Sequence, residues 1–221
     1  MVSCLYAQDR LSWLKENQPD SLYREDQFYF GFSFNFLSDL PSAVDQSGFS
    51  GGLKFGFIRD MPVNKRRNLS IGLGLGLNLN TFGQTLQINR EENTDTFEPI
   101  DPDVDYDSNR FTTNFIEVPL ELRWRSSDIE KLSFWRVYFG INFGYMLTSK
   151  SVFNSPETNY SFRSIDGIND FKTSIKLTFG YGAVNFFADY SLIPIFDSQI
   201  ASTGEAVSIR PIKVGLIFFL L

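Results

Sequence analysis

The stretch "DQFYFGFSFNF", residues 26 to 36, carries a phenylalanine at every second position. Tyrosine, glycine, serine and asparagine occupy the positions between them. A period of two residues predicts a β-strand with one apolar face and one small or polar face. In a soluble protein the phenylalanines would form the core, whereas in a membrane barrel they would contact lipid. The fold therefore depends on which of the two faces is inside.

Seven later segments repeat this alternation, and each is predicted to be a strand. No segment with a helical period exceeds a turn or two, and no run of 18 apolar residues predicts a transmembrane helix. Many of the segments reach the roughly 9 to 11 residues of a membrane barrel strand, beyond the roughly 5 or 6 that are common in soluble sheets. In chain order they are GGLKFGFI (51–58), LSIGLGLGLNLN (69–80), FIEVPLELRWR (115–125), WRVYFGINFGYML (135–147), FKTSIKLTFGYG (171–182), VNFFADYSL (184–192) and IKVGLIFFLL (212–221).

The two faces of these segments differ sharply in chemistry. The apolar faces are rich in Phe and Leu and carry no charge, while the opposite faces carry the charges and most of the glycines. The lumen of an eight-stranded barrel is only just wide enough for modest side chains, so the apolar faces do not fit inside it. A soluble sandwich would place a glycine-rich face in water. The sequence therefore predicts an all-β fold, an eight-stranded antiparallel up-and-down transmembrane β-barrel over residues 26–221, with the phenylalanines facing lipid and the backbone bonds closed around the ring.

Charged side chains on the opposite face must then share the lumen, where buried charges need partners. We expect Glu117 or Glu121 to pair with inward cations of neighbouring strands, with Arg136 and Lys172 as candidates. A glutamate pair could also serve as a general acid and base, but a structural ion-pair network is the favoured interpretation. The predicted network comprises Glu117, Glu121, Arg123, Arg125, Arg136, Lys172, Lys176 and Asp189.

Several functional classes are disfavoured by composition. The chain has no histidine, which excludes Ser–His–Asp and Cys–His catalysis and histidine-based metal sites. Its net charge of −6 argues against nucleic-acid binding. We therefore predict a protein that is not an enzyme and needs no cofactor.

Loop lengths predict the orientation in the membrane. Short turns at one end and long loops at the other are typical of outer-membrane barrels. The longest loops, at about 85–110 and 149–170, are expected outside the cell, with both termini in the periplasm. Trp124 and Trp135 flank one short turn, where an interfacial aromatic girdle is expected.

The acidic loop "REENTDTFEPIDPDVDYDSNR" carries a candidate calcium site, because carboxylates at alternate positions could supply oxygen ligands. The glycine and glutamate of an EF-hand loop are missing, so a solvated acidic surface loop is the default expectation and no metal is predicted. The candidate ligands are Asp101, Asp103, Asp105 and Asp107.

The two chain ends suggest export and insertion. Residues 1–8, "MVSCLYAQ", read as the remnant of a signal peptide, and residues 9–25 as a periplasmic N-terminal segment. The C-terminal strand resembles the β-signal by which outer-membrane barrels are recognised for insertion. The residues that carry this resemblance are Lys213, Gly215, Phe218 and Leu220.

The stretches "QFYFGFSFNF" and "FIEVPLELRWR", with the core Ile116-Glu117-Val118-Pro119-Leu120, resemble the PorT-like outer-membrane β-barrel family of the Bacteroidota. The resemblance covers roughly residues 26 to 221. It implies a non-enzymatic barrel, and some members of that family are linked to protein secretion across the outer membrane. The predicted function is a structural or accessory subunit of an outer-membrane secretion or assembly complex, with lipid and other outer-membrane proteins as partners. The alternative is a free-standing surface barrel whose long loops bind an extracellular ligand.

Overall fold

A computed structural model describes residues 26–91, 94–126 and 135–220 of the protein. The predicted signal remnant over residues 1–8 and the predicted periplasmic segment over residues 9–25 lie outside these ranges. Within the described ranges, no helix has the length and apolar character needed to cross a membrane.

Strands make up almost all of the regular structure, and eleven are present in the described ranges. They are β1 (Gln27–Ser38), β2 (Gly51–Pro62), β3 (Leu69–Gly83), β4 (Leu86–Glu91), β5 (Thr94–Pro99), β6 (Ser108–Arg125), β7 (Trp135–Asn154), β8 (Asn159–Arg163), β9 (Phe171–Tyr181), β10 (Val184–Ser191) and β11 (Arg210–Leu220).

Eight of these strands close into a barrel. The sheet order is β6-β3-β2-β1-β11-β10-β9-β7, and pairing of β6 with β7 joins its two ends. All neighbours in the ring are antiparallel. Each of the eight predicted segments corresponds to one barrel strand, so the predicted fold class is confirmed.

The burial pattern settles which face is inside. The five alternating phenylalanines of β1 keep between 39% and 62% of their surface exposed, whereas Tyr29, Ser33 and Asn35 between them are buried in the lumen. Similar alternation runs along β6, β7, β9 and β10. The phenylalanines of the opening stretch therefore lie on the outer wall of the barrel.

The predicted long loops contain regular structure that the sequence interpretation missed. β4 and β5 form a separate hairpin, so the first half of the acidic segment is not the solvated loop that was predicted. β7 continues to Asn154 and pairs there with the short strand β8. The hairpin forms because Ile88 and Phe97 alternate with polar residues and are directly opposite each other, giving it one apolar face to bury.

Loops at the long-loop end fold over the barrel mouth, and we call residues 39–50, 84–91, 94–107, 155–170 and 192–209 the cap. Isolated bridges join its segments, including Phe97 to Ile200 and Ile168 to Phe196. An apolar core lies beneath it, and a second, smaller cluster lies deeper in the lumen. The core under the cap contains Val44, Phe82, Leu86, Ile88, Phe97, Phe111, Ile165, Ile195, Phe196, Ile200, Val207 and Ile209.

Candidate functional site

Charged side chains fill the lumen below the cap. Cations outnumber carboxylates among the buried residues of the described barrel strands. They sit there because each occupies an inward position of a strand whose outward neighbours are apolar. The cations are Lys54, Arg123, Arg125, Arg136, Lys172, Lys176 and Lys213, and the carboxylates are Asp60, Glu117, Glu121 and Asp189.

The cluster nearest the short-turn end is built on Asp60, which is fully buried. One carboxylate oxygen lies 2.9 Å from Arg123 Nη1 and the other lies 2.9 Å from Arg125 Nη1. The hydroxyl of Ser70 donates to the same carboxylate at 2.7 Å. Arg123 also donates to the side-chain oxygen of Gln27 at 2.6 Å, and its guanidinium carbon lies 4.1 Å from the ring centre of Tyr138. One carboxylate therefore holds two guanidinium groups.

Glu121 links this cluster to the middle of the barrel. Its carboxylate forms an ion pair with Lys176 and lies 3.4 Å from Nε of Arg123. Register explains the geometry, because Glu121 is opposite Gly140 and Gly140 is opposite Lys176. A glycine on the intervening strand leaves the space across which the two long side chains meet.

The upper cluster centres on Glu117 and Asp189. Glu117 accepts hydrogen bonds from Lys172 Nζ at 2.6 Å and from the Asn78 amide at 2.7 Å. Asp189 lies 3.5 Å from Lys54 Nζ and accepts a hydrogen bond from the Asn142 amide at 2.7 Å. Lys172 was one of the two cations proposed for Glu117 from the sequence.

Two other cations of the lumen, Arg136 and Lys213, occupy different surroundings. The guanidinium of Arg136 lies 5.9 Å from the ring centre of Phe219. Lys213, proposed as part of the insertion signal, donates a hydrogen bond to Asn80 at 2.6 Å inside the lumen. The remaining residues of that proposed signal lie along β11: Gly215 is opposite Ser33, Phe218 is opposite Phe30, and Leu220 is exposed on the outer wall.

The calcium hypothesis finds no support in the cap. No group of three or more acidic or other metal-binding side chains in the described residues is arranged to hold a metal ion. Asp101 instead accepts a hydrogen bond from the backbone N–H of Asp103 at 3.0 Å, an Asx-turn contact. Asp101, Asp103, Asp105 and Asp107 are all exposed to solvent.

An ion pair fastens the β4–β5 hairpin to the rest of the cap. Arg90 binds Asp95 through two parallel hydrogen bonds, at 2.6 and 2.7 Å, and also donates to the backbone carbonyls of Arg163 and Ser164. The same carboxylate accepts the backbone N–H of Asp166 at 2.7 Å. The hydrogen bonds to Asp95 raise the pKa of the Arg90 guanidinium. Bidentate geometry of this kind fixes orientation, so the hairpin and the β8 loop are held together.

The outer surface of the cap is predominantly acidic. Its exposed carboxylates greatly outnumber its exposed cations, which are Arg90 and Arg163 in the described residues. The exposed carboxylates are Asp39, Asp45, Asp101, Asp103, Asp105, Asp107, Glu157, Asp166, Asp170, Asp197 and Glu205, where Asp39 and Asp170 border the adjoining strands.

The sequence profile agrees with the closed ring of antiparallel strands. A family described as outer membrane protein beta-barrel domain matches residues 6–197. The chain belongs to this family. Membership indicates a location in the bacterial outer membrane. The match does not separate PorT-like proteins from other barrels of the family, so that narrower resemblance stays a prediction.

Solved structures with similarity to the chain include two that differ in size of match. One is Ail, the attachment invasion locus protein of Yersinia pestis, in complex with the heparin analogue sucrose octasulfate; it shares 12% identity at a TM-score of 0.40, over 90% of this chain and 100% of that chain. Another is a mutant of Rh. blastica porin, with 9% identity and a TM-score of 0.16, over 90% of this chain and 100% of that chain. No curated protein matches the chain.

Removing one partner of the upper cluster is expected to destabilise the barrel. Glu117→Ala leaves Lys172 buried without its closest carboxylate, which should lower the free energy of unfolding by about 3 kcal/mol. The double variant Glu117→Ala/Lys172→Met removes both charges and should be more stable than the single variant. Urea unfolding in detergent micelles, followed by heat-dependent gel mobility, measures both. A double variant less stable than Glu117→Ala would contradict a structural role for the pair.

Asp60 and Lys54 form ion pairs in the lumen but were not part of the predicted network, and Asp60 was not predicted to lie in a strand at all. The second strand was predicted to end at Ile58, but β2 continues to Pro62. Lys54, Gly56, Ile58 and Asp60 share one face, so extending the alternation by two residues would have placed Asp60 in the lumen. An inward carboxylate at Asp60 was therefore available from the sequence pattern, although its partners were not.

Proposed function

We propose that this barrel is a non-enzymatic membrane anchor that presents its acidic cap, outside the cell, to a positively charged ligand or protein surface. The observation that carries the proposal is the folded cap, with its own apolar core and the Arg90–Asp95 clamp. A preorganised surface loses less conformational entropy on binding than a mobile loop does. Its exposed carboxylates favour a cationic partner by electrostatic complementarity.

The lumen supports a structural role in preference to catalysis or conduction. Glu117 and Glu121, the pair that could have served as acid and base, are both buried in ion pairs. The apolar core under the cap and the charges below it occupy the interior of the barrel. An eight-stranded barrel has little room beyond its own side chains, so a continuous aqueous pore is disfavoured.

A second candidate is the accessory subunit of an outer-membrane secretion or assembly complex. The outer face of β3 favours it, because Leu73 and Leu75 are about half exposed and are aliphatic, with 48% and 55% of their surface accessible. A smooth aliphatic wall suits the side of another barrel as well as lipid. The two candidates place the partner on different surfaces of the same molecule.

Photo-crosslinking in living cells separates these candidates. A photoreactive residue at Asp103 reports on the cap, and one at Leu73 reports on the barrel wall. The cap proposal predicts protein adducts from Asp103, which weaken when Asp101 and Asp105 are both changed to asparagine, and lipid adducts from Leu73. A discrete protein adduct from Leu73, with none from Asp103, would favour the accessory subunit instead.

Labelling of single cysteines on intact cells tests the orientation that the proposal requires. In a Cys4→Ser background, cysteines at Thr94 and Asp103 should react with an impermeant maleimide, because both positions are exposed in the cap. A cysteine at Asn64, in the turn between β2 and β3, should react only after the outer membrane is opened. Ser155 is a poor site for this test, since it is only 6% exposed. Labelling at Asn64 alone would reverse the orientation.

A further inference from the structure

Three cations lie together on the outer face of the barrel rim, and we call Arg110, Lys150 and Arg163 the rim cations. They belong to the adjacent strands β6, β7 and β8. Arg110 alternates with lumen-facing Phe111, and Lys150 alternates with the buried Ser149 and Ser151, so both point outward. Arg163 shares the face of Lys150 because the two residues are directly paired.

The rim cations are close neighbours of like charge. Lys150 is directly opposite Arg163 on β8 and opposite Thr112 on β6. Arg110 is two residues from Thr112, which makes it a diagonal neighbour of Lys150 at roughly 7 to 8 Å. None of the ion pairs in the described chain involves a rim cation. Like charges placed opposite each other destabilise a sheet, so an external anion would stabilise this arrangement.

The height of the rim cations matches that of lipid phosphates. Outward residues of β6 are apolar from Trp124 to Ile116 and polar beyond it, at Asn114 and Thr112. With Trp124 in the interfacial girdle, the apolar band of about 25 Å begins at Leu122. A strand tilted by about 40° climbs roughly 2.6 Å per residue, so this band ends close to Thr112. Arg110 then lies about 5 Å beyond the hydrocarbon edge by the same rise.

A groove in the outer wall begins beside these cations. Its volume is about 570 Å³, within the range of about 300 to 1,000 Å³ typical of small-molecule sites. Gly51 lies at its floor, and the ring of Phe49 lies over Gly51. Thr112 lines the groove and is also the residue opposite Lys150, so the two features are continuous. Apolar side chains dominate the remaining wall: Phe32, Phe34, Leu53 and Leu79.

We propose that the rim cations and this groove bind one phosphate-bearing lipid from the leaflet at the long-loop end. The phosphate contacts Arg110, Lys150 and Arg163, and an acyl chain lies in the groove, with Thr112 at the level of the polar linkage. A lipid fits better than a soluble ligand because the groove opens on the lipid-facing wall. It fits better than a neutral lipid because the three cations form no ion pair with a carboxylate of the described residues. The inference does not depend on the proposed function of the cap.

Native mass spectrometry of the detergent-solubilised protein tests this inference with phosphatidic acid and diacylglycerol that have the same acyl chains. These probes differ only in the phosphate. We expect one tightly bound phosphatidic acid, bound at least tenfold more tightly than diacylglycerol. The variant Arg110→Gln/Lys150→Gln/Arg163→Gln should lose this preference. The matched control Arg59→Gln/Lys65→Gln/Arg66→Gln removes three exposed cations at the short-turn end and should keep it.

The groove has a test of its own. Leu79→Trp fills the groove from the β3 side and should weaken binding of phosphatidic acid while leaving all three rim cations in place. Inorganic phosphate at millimolar concentration should not displace the bound lipid. Equal binding of the two lipids, retention by the triple glutamine variant, or full displacement by inorganic phosphate would each overturn the proposal, and the last result would point to a soluble anion.

Discussion

Asp60→Ala is expected to destabilise the barrel more than any other single change in the lumen, by about 4 to 5 kcal/mol. Asp60 is fully buried and lies 2.9 Å from each of two buried arginines, Arg123 and Arg125. Alanine would leave both guanidinium groups without this carboxylate, although both side chains are almost fully buried. Breaking a buried ion pair from one side costs far more than the pair contributes, because the remaining charges lose a counterion while they stay buried.

The measurement is the free energy of unfolding in urea, with the protein folded in detergent micelles. Asp39→Ala is a matched control. Asp39 also forms an ion pair with an arginine, at 2.8 Å from Arg210, but both of these side chains are substantially exposed. Exposed ion pairs contribute at most about 1 kcal/mol, so the control should remain close to the parent protein. Equal effects of the two substitutions would show that Asp60 is exposed to solvent as Asp39 is, and would contradict its burial in the lumen.

Gly215→Ala is the second substitution with a large expected effect. A methyl group on Gly215 would overlap the backbone carbonyl of Phe32 and would lie 2.7 Å from the Cα of Ser33. Both atoms belong to the backbone of β1, which is paired with β11 on this side of the barrel, so neither can rotate away. Overpacking commonly lowers the free energy of unfolding by about 1 to 3 kcal/mol. Because this clash is with a paired backbone, we expect a loss at or above the upper end of that range.

Gly144→Ala is the matched control for this substitution. Its methyl group would find its nearest neighbours at 3.4 to 3.5 Å, in ordinary contact with Lys172, Glu117 and Phe115. We expect Gly144→Ala to refold into detergent as the parent does, while Gly215→Ala refolds poorly even without any insertion machinery. A Gly215→Ala protein that refolds normally in detergent but fails to insert in cells would contradict the steric account and would support the predicted insertion signal.

The barrel itself was predictable because the two faces of each alternating segment differ in composition, and this difference indicates which face is inside. Across the predicted strands, the charges and most of the glycines fall on the face opposite the apolar residues, and a soluble sheet does not pack well in that arrangement. The pairing of Glu117 with Lys172 was predicted from the same pattern, because inward charges on neighbouring strands share one narrow lumen and need partners there. Exact partners depend on register, which the alternation alone does not determine.

The cap was not predictable by the same method. Its apolar residues are scattered over four loops, and Phe97 bridges Ile200 across more than a hundred residues of sequence. Short strands with one or two buried positions do not produce a visible period. Acidic composition therefore dominated the prediction for residues 85–110, although Ile88 and Phe97 bury the hairpin against the barrel mouth.

Oxygen accessibility of spin labels along β1 tests the central claim, that the alternating phenylalanines face lipid. Single labels would be placed at residues 28 to 36 of the protein in lipid vesicles, in a Cys4→Ser background, and power saturation would be measured with oxygen and with a water-soluble nickel complex. The account predicts high oxygen and low nickel accessibility at Phe30, Phe32 and Phe34, with low accessibility to both at Gly31 and Ser33. High oxygen accessibility at Gly31 and Ser33, with protected phenylalanines, would contradict it.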